Sequence, residues 1–336
     1  MKILFLGYYD AGCASLATKF YLRKALEKYA EVIPYGPEGF QWGKGIDVVK
    51  LQKIYKPDAI LLQGRWINFK YPRPRGRIDW QNLRKVTVPT VLLFNELNAG
   101  LGQRIAWINK NRIDLTLWGT YHIMNQLRGY MFKGHKMRWF PWWADTKIFK
   151  DYGYARENDV AILGSLPGHP LRGVMWNTIR TRTDFKFFRR ERPSHDALHL
   201  NPKTAFIHGN YARAIAKSKI LIFDSAPPRS ITHPFKKHEV VAKASVYALK
   251  KFWEGMACKT LVMAPKPVDA KRLGFKAGHN YVEINRDNFT KKIKYYLKHP
   301  DERKKIALNG YNIVRKRHTV NRRARQLIQY IKMLRR

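Results

Sequence analysis

A chain of 336 residues with 45% apolar and 13% aromatic side chains has the material for two ordinary hydrophobic cores, which excludes wholesale disorder. Its 65 Lys and Arg against 24 Asp and Glu leave a formal net charge of +41, which points to polyanionic partners such as nucleic acid or an anionic membrane face. The ion-pair networks of a hyperthermophile surface do not account for it, because they need acids as well as bases.

In chain order, Lys2–Leu6 reads as a first strand, followed by a helix with Leu16, Phe20, Leu22, Ala25 and Leu26 near helical spacing. A strand at 32–34, a helix at 47–55 and apolar runs at 59–62, 90–94 and 113–118 follow. Short, nearly continuous apolar strands alternating with helical stretches are the pattern of a parallel sheet covered on both faces. The pattern restarts at 159–165, with further strands at 219–223, 260–263 and 281–284 and a helix carrying residues 250–257. The organisation expected is α/β, with one unit over 1–145, a second over 146–310, and 311–336 as a basic helix packing back on the body. Residues 291–336 hold sixteen Lys and Arg against Asp301 and Glu302, either as a solvated helix face or as a polyanion contact.

Two cysteines, Cys13 and Cys258, stand far apart and outside metal-ligand spacing, so neither a disulfide framework nor a structural zinc site is expected. No apolar run approaches a membrane span, and the opening apolar run is too short for a signal peptide. A cytoplasmic protein is the expectation.

The most specific stretch is Lys251-Phe252-Trp253-Glu254-Gly255-Met256-Ala257-Cys258, followed by Gly278-His279-Asn280-Tyr281, His299-Pro300-Asp301-Glu302-Arg303 and Arg317-His318-Thr319. With Asp159–Ser165 before Pro170-Leu171-Arg172, and Phe140-Pro141 before Asp145 and Phe149, these motifs resemble glycosyltransferases of the spore-maturation type, close to the group-1-like families. The resemblance covers about 139–330. It implies the GT-B fold, two Rossmann-like domains facing across a cleft, and a nucleotide sugar, UDP-glucose or another UDP-sugar, as co-substrate. By that resemblance Glu254 holds the donor ribose and Lys251 the diphosphate, Gly164 and Ser165 form the tight turn at the cleft, and Arg172 is a second cation. A carboxylate suits a ribose diol, and cations with helix N-termini suit a diphosphate. Lys259 departs from the pattern, which has glycine there.

A catalytic base is expected at the C-terminal ends of the first unit's strands, where α/β clefts collect ligands. Glu96 is the first candidate and Asp10 the second, each with a loop or capping role as the alternative. His208 is a weaker cleft candidate, and no obligatory metal is expected, since no acid–histidine pair stands at metal spacing.

For the acceptor, residues 65–77 interleave Arg65, Lys70, Arg73, Arg75 and Arg77 with aromatics and prolines, and a similar loop carries Arg229, Lys236 and Lys237. Either loop is an ordinary surface loop or a nucleic-acid contact. By analogy with bacteriophage enzymes, the expectation is transfer to a hydroxyl on modified DNA such as 5-hydroxymethylcytosine, the base flipped from a double-stranded target. The alternatives are a membrane-surface transferase acting on a lipid-linked or cell-envelope acceptor, and a non-catalytic nucleic-acid-binding protein on the same scaffold.

Overall fold

A computed structural model describes residues 1–7, 14–36, 45–63, 79–94, 101–163, 170–189, 205–224, 231–232, 240–242 and 246–334. The first half contains β1 (Lys2–Leu6), α1 (Ala14–Leu26), β2 (Glu31–Tyr35), β3 (Gly45–Asp47), α2 (Val48–Tyr55), β4 (Ala59–Gln63), β5 (Asp79–Gln81), β6 (Thr90–Phe94), α3 (Leu101–Asn111), β7 (Leu115–Trp118), α4 (Tyr121–Gln126) and β8 (Lys136–Trp139). Its main sheet runs β2-β1-β4-β6-β7-β8 with every pair parallel, and β3 pairs with β5 in a small separate sheet. β4 and β6 are buried at every position, which is why their sequences are apolar runs and not alternations. Pro34 is tolerated in β2 because that strand is an edge. The order reverses between β1 and β4, and Gly7 stands at that switch point. A Cβ there would lie 2.7 Å from the buried Gln63 side chain, which would have to shift to admit a larger residue.

The second half contains β9 (Asn158–Ile162), α5 (Pro170–Arg180), β10 (Phe187–Arg189), α6 (Ala205–Ala216), β11 (Ser218–Ile222), β12 (Ile231–Thr232), β13 (Val240–Ala242), α7 (Lys251–Ala257), β14 (Leu261–Ala264), α8 (Ala270–Leu273), β15 (Val282–Glu283), α9 (Phe289–Lys298), α10 (Pro300–Arg317) and α11 (Val320–Leu334). Its parallel sheet runs β10-β9-β11-β14-β15, reversing between β9 and β11. β12 and β13 form a separate antiparallel pair.

The tail expected as one helix from 311 is divided elsewhere. α10 runs unbroken through 311 to Arg317, and the break falls at His318-Thr319. Pro300 starts α10, with Asp301 and Glu302 in the first turn where the helix dipole favours acids. α11 then crosses back. Val320, Ala324, Leu327 and Ile331 are buried with Ile3, Phe5, Leu22 and Leu26 in one core of the first half. α10 stays with the second half, where Ile306 and Ala307 join the core of β9, β11 and β14.

The crossover is tied by backbone and side chain together. Ala144 N–H donates to His318 O (3.0 Å) and Val320 N–H to Ala144 O (2.9 Å). Buried Arg323 donates through Nε to Pro141 O (3.0 Å) and through an Nη to His318 Nδ1 (2.9 Å), and His318 Nε2 meets Leu273 O at 2.8 Å. That set requires neutral His318 with its proton on Nε2. Burial first, then the Arg323 charge, press its pKa down to about 3. A second clasp joins the halves at α4, whose Tyr121 and His122 N–H groups donate to the buried Asp269 carboxylate (2.8 and 3.2 Å), with Arg272 3.7 Å over the Tyr121 ring. Among the described residues, no helix is long and apolar enough to cross a membrane.

Candidate functional site

Helices of a parallel sheet run against their strands, so the N-termini of α5 and α7 face the C-terminal edge of the second sheet. α7 lies tightly on that sheet. A Cβ on Gly255 would come 2.7 Å from both Leu221 and Val262, which explains the small residue there, and Phe252, Trp253 and Met256 bury the rest of the helix. Glu254, in the first turn, is 3% exposed. Its two oxygens are engaged from two directions. Tyr211 Oη on α6 donates to Oε2 at 3.2 Å, and Lys250 Nζ lies 3.4 Å from Oε1. Burial first, then the Glu254 charge, push the Tyr211 hydroxyl well above its ordinary pKa, so it stays a donor. A carboxylate accepts about four hydrogen bonds, leaving Glu254 capacity for two hydroxyls of a ligand.

The first half approaches the same carboxylate. Tyr21 on α1 has its pKa raised to about 12 by burial and by the negative charges of Asp145 and Glu254. Glu254 and Asp145 therefore lie within electrostatic reach of α1 across the two halves. Asp145 accepts Lys147 N–H at 2.9 Å, and burial raises its pKa.

Lys251 begins α7 and is half-buried, beside the acid but at the helix end suited to an anion. Arg172, expected as a second cation, sits in the interior. It is 1% exposed and held by Asp224: Nη2 lies 3.1 Å from Oδ1 and donates to Asp224 O at 3.1 Å, while the Arg172 N–H donates to Oδ2 at 3.1 Å. A buried guanidinium needs a paired acid, and this pair anchors α5 to the end of β11. Lys259 has φ of +54°, the left-handed region where glycine is the ordinary occupant, at the C-terminal end of α7. Its Nζ pairs with Asp151 at 3.3 Å. It stands at the opposite end of α7 from Lys251. Behind it, Arg156 donates to the carbonyls of Ser218, Cys258 and Lys259 and to the Thr260 hydroxyl at 2.7–3.2 Å, stapling the interdomain segment to the far end of the sheet.

His208 lies in α6 three residues before Tyr211, and nothing of its side chain is described. Glu96, Asp10, Gly164, Ser165, Arg65, Lys70, Arg73, Arg75, Arg77, Arg229, Lys236 and Lys237 lie outside the described residues. Among the described residues no three His, Cys, Asp or Glu side chains come together at metal-binding separations. Sequence reasoning missed Tyr211, Lys250 and Tyr21. Only Lys250 carried a local signal, four residues before Glu254, where a helix sets one side chain over the other.

The pair of parallel sheets, with the last helix returned to the first, gives an α/β fold of the GT-B glycosyltransferase class. Residues 189–329 match the family model described as glycosyl transferase-like. The chain is similar in structure to sucrose-phosphate synthase from Thermosynechococcus elongatus (11% identity, TM-score 0.63, 99% of each chain covered). It is likewise similar to a glycosyltransferase from Rickettsia africae (13% identity, TM-score 0.61, 99% of this chain and 98% of the other). A third neighbour is HepE from Anabaena, solved with UDP and glucose (12% identity, TM-score 0.63, 99% of this chain and 100% of the other). At these identities the likeness establishes the fold. No curated protein matches the chain in sequence.

Proposed function

We propose that the protein is a glycosyltransferase that takes a sugar from a nucleotide sugar, UDP-linked in the first instance, and passes it to a hydroxyl. The observation that carries this reading is the buried Glu254 carboxylate, oriented by Tyr211 and Lys250 in the first turn of α7 and within electrostatic reach of the first half. In this reading Glu254 accepts the two ribose hydroxyls, and Lys251 with the α7 N-terminus offsets the charge that grows on the diphosphate as the glycosidic bond breaks. The UDP bound in HepE and the glycosyl transferase-like match over 189–329 support the donor class. Glu96 is the proposed base that takes the acceptor proton, with Asp10 second.

The acceptor reading follows the charge. A +41 chain calls for a hydroxyl carried on or beside a polyanion. Modified DNA such as 5-hydroxymethylcytosine DNA rests on that charge and on the two cationic stretches of the sequence, 65–77 and 229–237. An acceptor at an anionic membrane surface is the second reading, favoured by the exposed face of α10. Incubation with radiolabelled UDP-sugars alongside 5-hydroxymethylcytosine DNA, unmodified DNA and an anionic lipid extract separates them. Label only in modified DNA supports the first, and label only in lipid supports the second. No label in any acceptor, with UDP binding intact, leaves the non-catalytic scaffold.

A further inference from the structure

α10 is an 18-residue helix, about 27 Å long, with two opposed faces. Ile306, Ala307, Gly310 and Val314 are buried, which fixes the roll of the helix. On the opposite face Lys304, Leu308, Tyr311 and Arg315 follow one another at i, i+4, i+7 and i+11, flanked by Lys305 and Lys316. Leu308 is 42% exposed at the centre of that face, with cations at both ends of it. Arg315 lies 5.2 Å over the Tyr311 ring. Lys304 has the distant, fully solvated Asp301 at 3.9 Å, and among the described residues no carboxylate lies within ion-pair distance of Lys305, Arg315 or Lys316. From Arg303 to the end the sequence contains no acid at all.

We propose that this face of α10 docks the protein on an anionic lipid surface. Four cations on one amphipathic helix match the charge density that holds a basic helix to acidic headgroups. The exposed Leu308 and the amphipathic Tyr311 sit between them, where the boundary of headgroups and acyl chains accepts apolar side chains. A nucleic-acid backbone would use the cations and gain nothing from Leu308. The proposal stands on α10 alone and is independent of the donor site.

The test is co-sedimentation of the full chain with phosphatidylcholine vesicles containing 30% phosphatidylglycerol, with pure phosphatidylcholine vesicles as the neutral comparison. The wild type is expected to bind the anionic vesicles only. The triple change Lys305→Glu, Arg315→Glu, Lys316→Glu is expected to weaken binding roughly a hundredfold or more. The same number of reversals at exposed Lys50, Lys53 and Arg84 in the first half controls for net charge and is expected to cost much less. Leu308→Ser is expected to weaken vesicle binding several-fold at unchanged charge while leaving affinity for duplex DNA, read by fluorescence anisotropy, as in the wild type. All four side chains changed on α10 are solvent-facing, and thermal melting confirms that the variants fold. Equal losses from the α10 and first-half reversals, or an unaffected Leu308→Ser, would overturn the proposal. So would loss of DNA binding on the α10 reversal with vesicle binding retained, which would make the face a nucleic-acid contact.

Discussion

Lowering the pH should pull apart the crossover that joins the two halves, and His318 sets the size of the effect. The folded protein holds this imidazole neutral, its pKa about 3 against 6.5 for a free side chain, because it is buried and faces the Arg323 guanidinium. A histidine with a depressed folded pKa leaves stability whole above 6.5 and removes it as pH falls, since only the unfolded chain takes up the proton. Each pH unit below 6.5 removes about 1.4 kcal/mol until the folded group also titrates near 3. Between pH 7 and 4.5 this one residue costs on the order of 2–3 kcal/mol. His318→Gln keeps an N–H for Leu273 O and an acceptor for Arg323 but cannot titrate. The variant should be less stable at pH 7 by about 1–3 kcal/mol, because the fit of two buried hydrogen bonds is disturbed. It should then lose on the order of 2–3 kcal/mol less than the wild type on going to pH 4.5. Urea unfolding of both proteins at the two pH values measures this. Equal losses in the two proteins would refute the neutral, Arg323-facing imidazole.

Tyr211→Phe removes one of the two groups orienting Glu254, so the UDP-sugar KM should rise about five- to tenfold with kcat little changed. A fall in melting temperature with KM unmoved would reduce Tyr211 to a packing residue. Lys259→Gly relieves a left-handed backbone at about 1 kcal/mol and gives up a half-exposed ion pair worth less, so stability should rise slightly and UDP affinity should not change. A loss of UDP affinity would put Lys259 on the diphosphate. Asp269→Ala strips the acceptor from two α4 N–H groups across the halves and should lower stability by about 1–2 kcal/mol in denaturant unfolding, with Asp269→Asn in between. No change in either variant would mean the clasp does not hold in solution.

The sequence discloses the sheet strands because a strand buried on both faces reads as an apolar run, as in residues 59–62 of β4 and 91–94 of β6. Short elements escape that logic. β3, β5 and β10 have three residues each, too few for any periodicity, and are made by pairing alone. Element ends shift by one or two residues for the same reason. Lys259 reads as a departure from a glycine pattern, and its backbone angle explains why glycine is ordinary there. Glu254 is legible from its motif, but its surroundings are not. Tyr211 is 43 residues away, so only the fold brings it to the carboxylate. Arg172 shows the converse. As a residue type it suits phosphate, and only the distance to Asp224 reveals a buried structural pair. The division of the tail at His318-Thr319 follows from the return of α11 to the first half, a long-range packing choice with no local signature.

Isothermal titration of UDP into the wild type and the Glu254→Ala variant reaches the core of this account most directly. The wild type should bind saturably and the folded variant should lose the heat signal or at least tenfold in affinity, because the change removes the buried carboxylate assigned to the two ribose hydroxyls. Equal affinity in the two proteins would contradict the assignment of this edge of the second sheet as the nucleotide site.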